Sequence, residues 1–476
     1  MVSFFDDLQI NPSMRPRYAA IAEALAEGIR SGALPAGSKL PAHRTLAWQL
    51  QTTPGTIAHA YKLLEERGLL EATVGRGSFV RADGGSGAEP LPPSSPLPPR
   101  LYPGEASSGI DLSRNAFPTH GMGLALSKEL RHLAETAGTD VLDYMRHDGA
   151  PVLKAAGQTW MARIGLDTAP GRIICCNGAH QGLSLCLGAL ARPGDGVFVE
   201  PMGYFGLYDM LTALHLRPRL VAADEEGMCP DALKDQARRG RAGIVVLSPT
   251  LSNPLNATMS LDRRQEIIAI ARHYDLTIIE DDVYGYLPEQ RPPSLATLAE
   301  ERCIHITSIS KVLAPGLRAG WIAVPPHSGR AIGERLRALN LALPMLDGLI
   351  AARWLREGTA ERIITERRAM LKSRAAMARD ELGAHGVICT EGALHCLLPL
   401  PPSCAAAAFA HAAARRGVLV TPLSAFRAPG GTVDERKMNM LRLSIAAPAR
   451  DAALRRALGI LKTMLEDRDL GLDAVI

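Results

Sequence analysis

The chain has few aromatic residues (4%), no Cys-x-x-Cys spacing among its eight cysteines, and nearly balanced charge, 53 Lys+Arg against 49 Asp+Glu. Without paired cysteine spacing there is neither a zinc module nor a disulfide framework, so the thiols read as reduced core residues and no metal site is expected. The most apolar late stretch, "CAAAAFAHAAA", is far shorter than the ~20 residues a membrane span needs. The start, "MVSFFDDLQI", is acidic where a secretory leader is basic. A cytoplasmic protein without membrane partners is therefore expected. The 476 residues exceed one ordinary core, which predicts two or three domains.

The charge is unevenly placed. Residues 11–81 hold nine Lys/Arg against five Glu, equal to the formal net charge of the whole chain, +4. A basic head on a neutral body points to an anionic partner for the head. In that head, "RYAAIAEALAEGIRSG" and "PAHRTLAWQL" have helical patterning. "TTPGTIAHAYKLLEERG" starts a third helix, with Thr53 as N-cap and Pro54 in the first turn. "LLEATVGRGSFVR" alternates around Gly-Arg-Gly and predicts a two-stranded wing tipped by Arg76. Three helices and a hairpin make a winged helix-turn-helix, whose third helix enters a major groove.

The stretches "GALPAGSKLPAHRTLAWQL", "TIAHAYKLLEERGLL" and "GRGSFV" resemble the GntR-type winged helix over residues 11–81. The resemblance implies DNA contacts from Arg44, from Thr53, Thr56, His59 and Lys62 on the third helix, and from Arg76 in the wing. Pro54 and Gly55 stand where relatives usually carry a polar or basic pair. Residues 82–109, "ADGGSGAEPLPPSSPLPPRLYPGEASSG", form a Pro/Gly/Ser-rich linker, flexible at its start and extended through its prolines.

Beyond the linker, helical segments alternate with the short β-rich runs "RIICCNG", "GVFVE", "GIVVLSP", "LTIIEDD", "CIHITSIS" and "AGWIAV". This predicts an α/β domain with a mainly parallel sheet and ligand groups at the C-terminal strand ends. Those ends carry chemistry. "RIICCNGAH" opens a helix at Gly178, Ala179 and His180, a phosphate cradle. "VEPMGYFG" offers the Tyr204 ring, and "LSPTLSNPLNATM" holds the Asn253 amide beside Pro254. "IIEDDVYGYL" brings Asp281, a carboxylate that needs a buried cation, and Tyr284. "SISKVLAPGLRAGW" supplies the Lys311 amine with Ser308, Ser310 and Arg318 as phosphate donors. In "NMLRLSIAAP", Arg442 inside an apolar strand suits a carboxylate receptor.

This arrangement resembles the fold type I pyridoxal-phosphate enzymes, in the aminotransferase class, from about Ile110 to the C-terminus. The resemblance implies that Lys311 carries pyridoxal 5′-phosphate as a Schiff base, with Asp281 on its pyridine nitrogen. Asn253 and Tyr284 would bond the ring hydroxyl and Tyr204 would stack on the ring. Ser308, Ser310, Arg318 and the Gly178-Ala179 turn would hold the phosphate, and His180, the next residue of that helix start, would belong to the cofactor-binding set. Lys311, Asp281 and Tyr204 would be the catalytic set, and Arg442 the receptor for an α-carboxylate. Tyr144, in "LDYMRHDGAPVLK", matches a tyrosine that reaches the phosphate of a neighbouring subunit, so a homodimer is implied. "NPLNATM" lacks the usual Pro-Thr-Gly, and His180 replaces a small or amide residue. A large part over about 155–325 and a smaller α+β part over about 326–476, with the segment before 155, follow from the same likeness.

A GntR-type head joined to such a body is similar to the MocR/GabR family of bacterial transcription regulators. This implies operator DNA and a small amino compound, or the cofactor itself, as partners. A working aminotransferase with a tethering or autoregulatory head is the alternative, since the groups for a transaminase half-reaction are all present.

Overall fold

A computed structural model describes residues 17–30, 33–35, 37–66, 69–73, 77–80, 109–119, 121–137, 140–144, 150–240, 242–341 and 343–467. The Arg76 wing tip and nearly all of the 82–109 linker lie outside them.

The head has its own apolar core. Helix α1 (Arg17–Arg30) buries Ile21, Leu25 and Ile29 at successive i, i+4 positions. Helix α2 (His43–Gln49) buries Leu46 and Ala47. Helix α3 (Pro54–Glu66) begins as its sequence predicts, with Thr53 Oγ1 accepting the Thr56 amide at 3.2 Å. The Tyr61 hydroxyl donates to the Pro41 carbonyl at 2.8 Å and fixes α3 against the segment before α2. Strands β1 (Leu70–Thr73) and β2 (Gly77–Val80) pair antiparallel, Leu70 opposite Val80 and Thr73 opposite Gly77. These three helices and the hairpin form the expected winged helix.

The body is built on a seven-stranded sheet. Its order is Ile173–Cys176, Gly320–Ala323, Cys303–Ser308, Thr277–Asp281, Ala242–Leu247, Gly196–Val199 and Arg217–Leu220. All pairs are parallel except the two made by Gly320–Ala323. Six strands coincide with the six β-rich runs. The seventh, "RPRL", escaped because it has no apolar alternation. It lies at the end of the sheet, where Pro218 need not donate to a further neighbour.

A three-stranded antiparallel sheet follows in the order Cys396–Pro399, Met440–Leu443, Thr421–Pro422. The helices Thr359–Leu382 and Asp451–Glu466 accompany it, giving the smaller α+β portion. No helix among the described residues is long and apolar enough to cross a membrane.

Candidate functional site

Parallel pairing of Thr277–Asp281 with Cys303–Ser308 brings their C-terminal ends together, Asp281 opposite Ile306. Lys311 stands three residues beyond Ser308. Alternation along the strand end sends Asp281 to one face and its neighbours Glu280 and Asp282 to the other. On that other face, Glu280 accepts the Leu295 and Ala296 amides and lies 2.9 Å from His305 Nδ1. Asp282 pairs with Arg291, and Arg264 lies 3.9 Å from Glu280. Glu280, Asp282 and His305 have the proximity of metal ligands. The two guanidiniums already balance their charge.

Asp281 has no such partner. Its carboxylate is buried and Oδ1 accepts no hydrogen bond. Burial, reinforced by Asp282, pushes its pKa up to about 7 against the pull of Lys311 and His305. The Lys311 ammonium donates to the Asn115 carbonyl at 2.9 Å. Burial first, then the positive charge of Arg442, pushes its pKa down to about 8, with Asp281 opposing. A neutral amine is thereby within reach near physiological pH.

At the turn expected to cradle a phosphate, the Gly178 backbone and the Arg318 side chain approach closely. Gly178 has φ +79°, and a Cβ there would fall 2.7 Å from Arg318 Nη2. Arg318 has φ +21°; its guanidinium donates to the Asn177 carbonyl at 3.0 Å and to Ser310 Oγ at 3.4 Å, leaving an exposed face. Ser308 and Ser310 are buried, and Gly178 and Ala179 begin the helix Gly178–Leu190. The Tyr204 hydroxyl lies 3.3 Å from His180 Nδ1, with the rings edge to face. Burial first, then the Asp281 charge, pushes Tyr204 up to about 12.

Arg442 is buried as well. It donates from Nη1 to Asn253 Oδ1 at 2.8 Å and from Nη2 to the Ser113 carbonyl, and it stacks on the Phe426 ring at 4.6 Å. Its Nε has no partner, and burial pushes its pKa down to about 10. The Asn253–Pro254 peptide is cis.

Two residues were missed in the sequence. The Asn115 side-chain amide lies 3.0 Å from the Tyr284 hydroxyl and 3.2 Å from His395 Nδ1, while His395 Nε2 lies 2.7 Å from the Pro254 carbonyl. Burial, with Arg442 next in weight, pushes His395 down to about 3, so the ring is neutral and Nε2 donates to Pro254. In sequence, Asn115 ends the short polar run of "SRNAFP" and His395 sits among small and apolar neighbours in "GALHC", and neither closes a strand pattern.

Tyr144 is 81% exposed, and its backbone amide donates to Asp143 Oδ1 at 2.7 Å. In the head, Arg44, Thr53, His59 and Lys62 are exposed and Thr56 is half-buried. His59 packs edge to face on Tyr18 at 5.6 Å.

Two family models match the chain. Residues 17–80 match the model of bacterial regulatory proteins, gntR family, and residues 107–461 match aminotransferase class I and II. The HTH-type transcriptional regulator YdeF of Bacillus subtilis is 30% identical over 459 residues, 96% of each chain. The 2-aminoadipate transaminase of Thermus thermophilus is 29% identical, over 70% of this chain and 83% of its own. Among solved structures, the α-aminoadipate aminotransferase LysN from Thermus thermophilus superposes with a TM-score of 0.68 at 25% identity. That match covers 78% of this chain and 94% of the other.

A winged helix ahead of a fold type I body defines a class in which a transferase-like fold is coupled to DNA binding. The chain belongs to the aminotransferase class I and II family, in its MocR/GabR branch of transcription regulators. The cofactor of this fold is pyridoxal 5′-phosphate. The residues present fit it: a depressed lysine, an orphaned buried carboxylate and a glycine-arginine cradle with an open face.

Proposed function

We propose that the protein is a cytoplasmic transcription regulator that holds operator DNA with its head and receives a primary amine bearing a carboxylate in its body. When bound, pyridoxal phosphate supplies a carbonyl carbon with which primary amines condense. Lys311 holds the cofactor there, released as a neutral amine at a pH set by burial and Arg442. Asp281 gains the cation it lacks, since a protonated ring nitrogen would return its raised pKa toward the ordinary carboxylate range. Tyr284 and Asn253 stand for the ring hydroxyl, Tyr204 with His180 for the ring face. Ser308, Ser310, Arg318, Gly178 and Ala179 stand for the phosphate.

Arg442 is the receptor for the effector's carboxylate. A second copy of the chain completes the site, with exposed Tyr144 reaching the partner's phosphate pocket. On the DNA side, Arg44, Thr53, Thr56, His59, Lys62 and Arg76 form the contact surface. The head occupies residues 11–81, the linker 82–109 and the body 110–476.

The observation that carries this reading is Asp281: a buried carboxylate with an unpaired oxygen beside a lysine whose pKa is lowered, in a chain that also bears a winged helix. Anisotropy of labelled DNA from upstream of the gene, titrated with full-length protein in the presence of amino acids and simple amines, tests it. Amine-dependent affinity is expected. Working transamination is the second reading, favoured by the complete set of groups around Lys311, and a coupled assay for keto-acid production under multiple turnover tests it.

A further inference from the structure

Cys389 and Cys396 lie outside the cofactor site and no role above uses them. They face each other across a short antiparallel bridge in which Ile388 and Leu397 exchange both backbone hydrogen bonds, at 2.8 and 2.9 Å. The next pair outward, Cys389 and Cys396, is therefore of the non-hydrogen-bonded kind, with α-carbons about 4.5 Å apart. That separation is within the range a disulfide spans. The sulfurs are 2.7 Å apart and both are free thiols.

The two sulfurs are chemically unequal. Cys389 is half-buried and Cys396 buried. The hydrogen bond from Cys396 lowers the Cys389 pKa against the opposing effect of burial, with Arg379 helping, while Cys396 is pushed up and keeps its proton. Five of the other cysteines differ. Cys176, Cys186, Cys303 and Cys404 are buried with raised pKa values, and half-buried Cys229 is pushed up by burial and by Asp224. A lowered thiol pKa, a facing thiol and partial access coincide at Cys389.

We propose that Cys389 and Cys396 are an oxidation site for hydroperoxides that closes to an intramolecular disulfide. The Cys389 thiolate attacks a peroxide oxygen and the O–O bond breaks. The leaving alkoxide or hydroxide takes up a proton, and Cys389 becomes a sulfenic acid. The Cys396 sulfur then attacks the Cys389 sulfur, the S–O bond breaks and water leaves with the Cys396 proton. Two thiols lose two electrons in total, and the peroxide is reduced to an alcohol, or water, plus water. The bond would staple the turn that carries His395, one residue from Cys396, and the strand whose Leu397 pairs with Arg442. The oxidation chemistry is the same whether the protein regulates or transaminates.

The test uses full-length protein treated with one equivalent of hydrogen peroxide, alkylated, and cleaved after Glu391, which lies between the two cysteines. The expected result is that the Cys389 and Cys396 peptides stay joined until reduction, two hydrogens lighter than the separate thiol peptides. Cys396→Ser should instead leave a dimedone-reactive sulfenic acid on Cys389, and Cys389→Ser should lose both products. Separate alkylated peptides after peroxide, or equal thiol loss in wild type and Cys389→Ser, would overturn the proposal. The wild-type peptide map decides the matter even if a variant folds poorly.

Discussion

Arg442 donates to Asn253 at 2.8 Å, tying a strand of the small sheet to the turn after a strand of the large one. A carboxylate arriving at Arg442 competes with Asn253 and the Ser113 carbonyl for the same guanidinium. In the proposed reading, the effector and cofactor sides therefore share a donor. Coupling of this kind requires an effector that binds the two arrangements of the protein with different affinity. Arg442→Ala is expected to retain the cofactor and DNA binding while losing the response to carboxylated amines. Absorbance spectra and DNA anisotropy on the same sample check this.

Gly178→Ala should impair cofactor retention. The added methyl meets Arg318 Nη2 at 2.7 Å, and φ +79° adds about 1–2 kcal/mol for a non-glycine residue. Equilibrium dialysis should show weaker retention of pyridoxal phosphate, with Tm lowered only modestly. Unchanged retention would mean that the cradle lies elsewhere.

Loading should depend on pH in a stated direction. Only the neutral Lys311 amine reacts, so the rate at which apoprotein takes up pyridoxal phosphate rises with pH through about 8. Arg442 is one of the cations that depress this lysine. Its removal in Arg442→Ala should shift the midpoint to higher pH and slow loading at pH 7. Stopped-flow absorbance at several pH values measures both. A midpoint near 10, the ordinary lysine range, would contradict the environment described.

Much of this candidate site was legible because Asp281 ends an apolar, β-branched strand and Lys311 follows another, and a parallel sheet gathers such ends in one place. Asp281, Lys311 and Arg442 could be singled out as charges too costly to bury idly. Asn115 and His395 could not. Each lies outside any periodic run, and its meaning comes from a partner 280 positions away. The strand Arg217–Leu220 was hidden for the opposite reason, since an edge position tolerates arginine and proline. Cys389 and Cys396 lack Cys-x-x-Cys spacing, and only the register of the Ile388–Leu397 bridge makes them neighbours.

In the head, Lys62→Ala should weaken binding to all DNA sequences alike and reduce the dependence on salt by about one counterion, as a phosphate contact does. Thr53→Ala acts through folding as well. It removes the cap on the Thr56 amide and should cost the head about 1 kcal/mol. Salt titrations of anisotropy separate the two effects from each other.

The central claim is that a primary amine changes operator occupancy through Lys311. The most direct measurement is the affinity of full-length, cofactor-loaded protein for its upstream DNA as a function of amine concentration, in wild type and Lys311→Ala, with keto-acid production followed in parallel. The account predicts a saturable shift in wild type that is absent in Lys311→Ala, with product formation too slow to explain it. An equal shift in Lys311→Ala, or rapid multiple turnover with DNA affinity indifferent to the amine, would contradict it.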